Sequence, residues 1–140
     1  MIDAINAPLQ AVAIGGGVVF GNSRIRTGCS ARHEEGSSRF VLLKPGIYLV
    51  EFVGNIALPE GGTAGPISVA LSVDGEIVSG TNAIFTPAAA EEFGNVSIST
   101  LVRVYGCGGN VSVAVVNTSG VSIDVQDANL LIFRECGDGA

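Results

Sequence analysis

Charged side chains are scarce in this sequence: Asp, Glu, Lys and Arg make up 14% of its 140 residues, against about 25% in an average soluble protein. This scarcity indicates either that neighbouring subunits cover much of the surface or that the chain is bound to a membrane. The net charge is −6 and the seven basic residues are scattered, which argues against a nucleic-acid partner. Contacts to phosphates need clustered Lys and Arg.

Long apolar runs are also missing, which argues against membrane insertion. A spanning helix needs about 20 predominantly apolar residues, and the longest charge-free runs, 4–23 and 104–123, are rich in Gly, Asn and Ser. Asp3 stands where a signal peptide would carry its basic region. We therefore expect no signal peptide and synthesis in a bacterial cytoplasm.

Cysteine is limited to Cys29, Cys107 and Cys136. Three thiols cannot all pair within one chain, and their spacing fits no metal-binding motif. Free thiols in a reducing compartment are the expected state, with an intrachain or intersubunit disulfide as the alternative.

Residues suited to catalysis are equally few. The single histidine, His33, lies in the polar stretch SARHEEGSS, which predicts an exposed loop. We therefore expect the substitution His33→Ala to change neither folding nor assembly. A nucleophilic pair of Cys29 with His33 would lack the rigid geometry that activation requires. The adjacent glutamates at 34–35 and 91–92 point in opposite directions on an extended chain. We predict no enzyme, no catalytic residue and no cofactor.

Oxygen ligands for calcium are restricted to a few carboxylates near predicted turns, namely Asp74, Asp124 and Asp127. Calcium needs about six to eight converging oxygens, and no compact Asp-x-Asp run is present. We interpret these residues as solvated turn carboxylates and predict no metal site.

Three Asn-x-Ser/Thr triplets begin at Asn95, Asn110 and Asn117. Such triplets are glycosylation acceptors in secreted proteins, but no signal peptide is expected here. Each asparagine flanks a predicted strand, where Asn is a common turn residue. We interpret all three as structural.

Alternation of apolar and polar residues is abundant, as in VSIST, VSVAVV and VSIDV. β-Branched residues at a period of two are typical of half-buried strands, and turn signals separate these runs. The pattern predicts strands over 9–20, 23–27, 38–43, 47–58, 67–73, 76–85, 96–105, 111–117 and 121–134. Many short strands at this spacing predict an all-β sandwich or barrel.

Two segments depart from the strand pattern. Residues 15–17 are three glycines inside the first predicted strand. They indicate a bulge or a close backbone approach, such as packing against a neighbouring chain. A phosphate-binding loop would need a following helix with Lys and Ser/Thr, whereas VVFGNS follows here. Residues 86–92 offer at most one helical turn, with Thr86 as its N-cap and Pro87 as its first residue.

Two predicted strands are apolar on both faces. Positions 47 and 49 alternate with 48, 50 and 52, and positions 130 and 132 alternate with 131 and 133. A strand with only one face against a core should alternate cleanly between apolar and polar residues. These strands are therefore expected to be buried twice, once in their own subunit and once against another chain.

Three phrases of the sequence, in this order, resemble the tumour-necrosis-factor and complement-globular-head superfamily. KPGIYLVEFVGNIAL at 44–58 looks like its third-strand signature, and ISVALSVDGEIVSGT at 67–81 is similar to its middle hairpin. VSVAVVNTSGVSIDVQDANLLIFR at 111–134 resembles the last two strands of the bacterial and phage branch. That branch includes the C-terminal domains of collagen-like spore-coat glycoproteins and phage decoration or fibre-head domains.

The resemblance implies an all-β jelly-roll sandwich of about ten antiparallel strands that assembles as a tight homotrimer about a three-fold axis. It implies a jelly-roll domain over 9–136, preceded by a segment over 1–8 that attaches the trimer to a larger particle or capsid. The candidates for the trimer interface or the core are Leu49, Tyr105, Leu130, Leu131, Ile132 and Phe133.

A non-enzymatic surface subunit of a phage virion, either a decoration or a fibre-head protein, is the function that this resemblance favours. No collagen-like Gly-X-Y stem precedes the domain, which disfavours a spore-surface role. The alternative is a module that binds a glycan or receptor through the loops at 28–38 and 59–66. The chain lacks Trp, and both of its tyrosines are in predicted strands. Sugar platforms need exposed aromatic rings, so these two features argue against the alternative.

Overall fold

Two antiparallel β-sheets pack face to face in the computed structural model, which describes residues 1–106 and 110–135. The described residues form twelve strands. These are β1 (Ile2–Asn6), β2 (Gln10–Val12), β3 (Asn22–Arg26), β4 (Ala31–His33), β5 (Phe40–Leu42), β6 (Gly46–Ala57), β7 (Ile67–Val73), β8 (Glu76–Ile77), β9 (Ala83–Phe85), β10 (Gly94–Val104), β11 (Val111–Asn117) and β12 (Ile123–Arg134).

Each sheet contains six strands. The first sheet has the order β10-β6-β12-β1-β3, with β2 beside β12, and the second has the order β4-β5-β11-β7-β8, with β9 beside β7. All recorded strand pairs are antiparallel, which confirms the predicted all-β sandwich. The predicted strand over 76–85 is divided into β8 and β9, and two strands that were not predicted lie at residues 2–6 and 31–33.

The core lies between the two sheets and is filled by alternate residues of the long strands. On β6, Tyr48, Val50 and Phe52 are buried, and they pair across the sheet with residues 134, 132 and 130 of β12. The Tyr48 hydroxyl donates to the Lys44 carbonyl oxygen at 2.7 Å. This hydrogen bond holds the Lys-Pro-Gly turn against the start of β6 and satisfies the polar end of a fully buried ring.

The chain's first residues belong to the first sheet. β1 lies between β12 and β3, and its Ile2 and Ala4 are fully buried in the core. Residues 7–9 follow this strand as an exposed segment outside the sheet. The role of segment 1–8 in attachment stays a prediction, and the structure places most of that segment in the sheet rather than in a free tail.

The predicted strand over 9–20 is wrong for most of its length, because only residues 10–12 form a strand there. The chain then crosses to the second sheet, where Val18 N–H donates to the Val115 carbonyl oxygen at 2.8 Å. A Cβ atom on Gly17 would lie 2.8 Å from the Ser38 side chain. A close backbone approach therefore does occur at Gly17, but it is to the same chain, and packing of the triplet against a neighbouring chain stays a prediction.

Residues 86–92 form turns rather than the single helical turn considered from the sequence. Glu91 has a φ of 63°, in the left-handed region, and its N–H donates to the Leu58 carbonyl oxygen at 2.9 Å. This positive φ interrupts any helical continuation through the segment.

Asn117, at the end of β11, is almost fully buried and joins three segments of the chain. Its Nδ2 donates to the carbonyl oxygens of Val12, Ala13 and Val121, and its Oδ1 accepts from Ser119 N–H at 2.8 Å. The structural interpretation of this Asn-x-Ser triplet is confirmed, because a buried and fully bonded amide is not accessible to a glycan.

We expect Asn117→Ala to lower the free energy of unfolding by about 1–3 kcal/mol, because it leaves buried backbone groups without a partner. Chemical denaturation would measure the loss. Asn110→Ala is the matched control in an exposed triplet and should change the stability by less than about 0.5 kcal/mol. Equal stabilities of the two variants would contradict the structural role of Asn117.

Candidate functional site

The surface of the first sheet that points away from the core carries three of the six predicted interface or core candidates. Leu130 and Ile132 are buried in the core, whereas Leu131 and Phe133 point outward and are 37% and 46% exposed. Leu49 is on the same outward side and is half-buried. The structure therefore separates the two apolar sides of β12, which the sequence left unassigned. We refer to this surface as the outward face.

A row of three large apolar side chains crosses the centre of the outward face. Leu101 of β10 is paired with Leu49 of β6, and Leu49 is paired with Phe133 of β12. Directly opposite residues in antiparallel strands have Cβ atoms about 4.5–5.5 Å apart, so the three side chains are neighbours. Leu101 is 62% exposed and was not among the sequence candidates. In the sequence, Leu101 is recognisable as the single large apolar residue on the otherwise polar side of β10.

Two further apolar residues extend this surface. Val53 is the second outward-facing residue after Leu49 on β6, and Ile25 lies on β3, where it pairs with Asp3 of the adjacent strand. They are 42% and 44% exposed, respectively. The exposed apolar residues therefore reach from the β10 edge of the sheet to its β3 edge.

Polar residues interrupt the apolar outward face. Glu51 of β6 lies opposite Leu131 on this face, and a polar cluster surrounds Asp3. Asp3 is buried, and its Oδ2 accepts from Arg24 Nε at 2.9 Å and Nη2 at 2.8 Å. Its Oδ1 accepts from Asn129 Nδ2 at 2.5 Å. The carboxylate is thus neutralised and hydrogen-bonded, which a buried charge requires. The hydrogen bonds of this cluster hold its polar side chains at a fixed position on the outward face.

Tyr105, the remaining candidate, follows β10 directly and is 64% exposed. The Arg103 guanidinium lies 5.3 Å from the centre of its ring, within the range of a cation–π contact. Tyr105 is therefore not a core residue of the chain, and its place in an interface stays a prediction.

The expectation of a solvated histidine at position 33 is wrong. His33 lies on β4, is 2% exposed, and stacks on Phe40 with ring centroids 4.1 Å apart. Its Nε2 bonds to the Ser37 carbonyl oxygen at 2.8 Å, and its Nδ1 bonds to Ser23 Oγ at 3.0 Å. Both ring nitrogens are engaged by these groups rather than by the Cys29 thiol, so the ring serves the packing of the sheet edge.

We expect His33→Ala to lower the free energy of unfolding by about 2 kcal/mol or more, because it removes a packed ring and the hydrogen bonds of that ring to the Ser37 carbonyl oxygen and Ser23 Oγ. Thermal or chemical denaturation would measure this change. Glu35→Ala, an exposed change two residues away, should be nearly neutral. A His33→Ala protein as stable as the wild type would contradict this role.

The carboxylates considered for calcium do not converge. Asp74 joins the turn after β7 to β11 by accepting from Ser112 N–H at 2.9 Å, and Asp127 has a φ of 53° at the irregularity of β12. Among residues 1–106 and 110–135, no group of three His, Cys, Asp or Glu side chains could hold a metal ion. Cys29 is exposed, while Cys107 and Cys136 lie outside the described residues.

Asp124 lies on β12 between Ala57 of β6 and Ala11 of β2. Burial by these neighbours raises the pKa of its carboxyl above the ordinary value. The folded chain therefore holds this proton more tightly than the unfolded chain does. The ionised carboxylate costs folding free energy as the pH rises above the unfolded pKa of about 3.9.

We expect Asp124→Asn to raise the Tm at pH 7, where the wild-type carboxylate is ionised, and to leave it nearly unchanged at pH 3, where the carboxyl is protonated in both states. Calorimetry at the two pH values would test this. A variant that is less stable than the wild type at pH 7 would show that the carboxylate makes a favourable contact.

No described helix is long and apolar enough to cross a membrane. The loop proposed at 28–38 contains β4, and residues 59–66 are a loop without a strand. The surface with the strongest apolar character among the interface candidates is thus the outward face of the first sheet rather than either loop.

No family model and no curated protein sequence matches the chain. Solved structures do match. The globular domain of the zebrafish complement 1qA protein aligns with a TM-score of 0.66 and 14% identity, over 96% of this chain and 98% of that one. Eiger TNF from S. frugiperda aligns with a TM-score of 0.68 and 12% identity, over 99% and 95%.

The PRD1 vertex protein P5 also aligns, with a TM-score of 0.54 and 12% identity, over 95% of this chain and 94% of that one. At these identities the likeness shows the fold alone. The predicted fold class, a jelly roll like that of tumour necrosis factor and the complement globular head, is confirmed. Its bacterial and phage branch stays a prediction.

Proposed function

We propose that this chain is a non-enzymatic structural subunit that self-associates as a homotrimer through the outward face of its first sheet. The observation that carries the proposal is the row formed by Leu101, Leu49 and Phe133 across three adjacent strands, with Leu131 one position away on β12. Contiguous exposed apolar surface of this kind is typical of interaction sites.

Self-association accounts for the energetics of this surface. Full burial of a Leu or Phe side chain contributes about 1.5–3 kcal/mol, so several such residues from each subunit offset the entropic cost of association. The low content of charged residues is consistent with a chain whose apolar sheet is covered by copies of itself. The three-fold arrangement comes from the resemblance of the sequence to a family of homotrimers.

The Asp3–Arg24–Asn129 cluster supports a defined orientation of the subunits. A neutralised, hydrogen-bonded carboxylate tolerates burial, and it disfavours packings that would place an apolar side chain over the Arg24 guanidinium. An interface made of apolar residues alone would allow more relative positions of the subunits.

A particle surface is the proposed location of this trimer, as a phage virion decoration or fibre-head protein. This part of the proposal rests on the sequence resemblance over 111–134. It is compatible with the occurrence of the same fold in a vertex protein of PRD1. The exposed residues 7–9 are the part of the N-terminal region that is free to contact a larger particle.

We expect Phe133→Asp and Leu131→Asp to dissociate the trimer without unfolding the subunit, because both side chains point away from the core. Light scattering coupled to size exclusion should give three times 14.2 kDa for the wild type and 14.2 kDa for the variants. Circular dichroism should show retained β-structure.

Ile84→Asp is the matched control, since Ile84 is 61% exposed on β9 of the second sheet. It should leave the trimer intact. A wild-type monomer would overturn the proposed assembly, and a trimer that survives both changes on β12 would show that another surface forms the contact.

A further inference from the structure

Basic residues are concentrated in one part of the chain. Five of the seven lie between Arg24 and Lys44, together with only two of the 13 acidic residues. The basic residues are therefore not scattered, as first inferred from the sequence. A protein with a net charge of −6 carries one positive edge. This edge is formed by β3 and β4, which are border strands of the two sheets, and by β5, which pairs with β4.

The pairing of β4 with β5 gathers charged side chains on the outer side of this edge. His33 and Phe40 are paired and face the core, so Arg32, paired with Val41, faces outward. Arg39 precedes Phe40 and also faces outward. Together with Glu34 and Ser37, these residues line a cavity of about 290 Å³.

The two arginines of this cavity are not used by the fold. Arg24 is bound to Asp3, and Arg26 donates to the His33 carbonyl oxygen. Within the described part of the chain, the guanidinium groups of Arg32 and Arg39 make no ion pair or hydrogen bond. Their positions are diagonal across the strand pair, a relation that separates residues by about 7–8 Å and their Cβ atoms by somewhat less.

Ring stacking and hydrogen bonds hold the backbone around these arginines in place. The His33 ring stacks on Phe40 at an interplanar angle of 12° and bonds to the Ser37 carbonyl oxygen. Ser37 Oγ accepts from Arg39 N–H at 3.0 Å, and Phe20 N–H donates to the Ser37 carbonyl oxygen at 3.2 Å. The turn at 34–37 is thereby tied to β4, so the cavity is present before any ligand binds.

We propose that this cavity binds the carboxylate of an acidic sugar between Arg32 and Arg39. Guanidinium groups form strong charge-assisted hydrogen bonds with carboxylates. The Glu34 carboxylate leaves the lining with a net charge of +1, which matches a monoanion better than a dianion.

The rest of the lining favours a hydroxylated ligand body that is held by its carboxylate and by hydrogen bonds, since none of the five lining residues offers an aromatic ring for stacking. Val41 is the single apolar residue among the five that line the cavity, and the others offer hydrogen-bond donors and acceptors. The volume is much larger than a bare inorganic ion and lies near the lower end of ligand pockets, about 300 Å³. Because the cavity is on the second sheet, this inference is independent of the proposed trimer.

The experiment is a titration of the full-length, ¹⁵N-labelled protein with sodium glucuronate at constant ionic strength, followed by the Nε–Hε signals of Arg32 and Arg39. Saturable shifts of both signals are expected. Glucose, which lacks the carboxylate, should cause none, and sodium sulfate should bind more weakly than glucuronate. The absence of saturable shifts, or equal binding of glucose or sulfate, would overturn the proposal.

Variants distinguish a specific site from general charge attraction. Arg32→Gln and Arg39→Gln should each weaken glucuronate binding about tenfold, because each removes a charge-assisted contact. Lys44→Gln makes the same change of charge outside the cavity and should alter the affinity less than about twofold. An equal loss in Lys44→Gln would overturn the proposal. Glu34→Gln should strengthen binding, and a loss there would contradict the assigned geometry even if an arginine variant failed to fold.

Discussion

The register between β12 and β6 is the constraint on which the rest of the structure depends. Leu130 lies opposite Phe52 and Ile132 opposite Val50, and these pairs form the centre of the core. Since successive side chains of a strand point to opposite faces, this register sends Phe133 outward beside Leu49. A shift of one residue would exchange the core residues with the outward ones. Correct folding and the proposed assembly therefore both require this register.

β12 contains an irregularity that lets its polar first half and its doubly apolar second half pair within the same sheet. Asp127 has a φ of 53°, and the register with β6 shifts between Gln126 and Asn129. Val125 and Ala128 are both buried on either side of the shift. The extra residue moves the buried positions from odd-numbered to even-numbered residues, as a β-bulge does. β1 pairs with the apolar half that follows. The polar half and the apolar half therefore lie in one continuous strand.

Strand positions could be predicted where the alternation was long. The predicted strand over 67–73 matches β7, the one over 111–117 matches β11, and the one over 121–134 contains all of β12. The strand over 38–43 contains β5, whereas β4 was not predicted, because its three residues are too few to show a period of two. His33 was misplaced for this reason: its neighbours in sequence are polar, and only the pairing of β4 with β5 buries its ring.

The sequence by itself determined the fold class, the main strands and the presence of two apolar sides on β6 and β12, because these follow from local alternation. Only the tertiary structure decided which side is core and which is outward, since the pattern is symmetric until β12 pairs with its neighbours. It also brought Leu101 beside Leu49, and Arg32 beside Arg39, through pairings between segments that local periodicity does not specify.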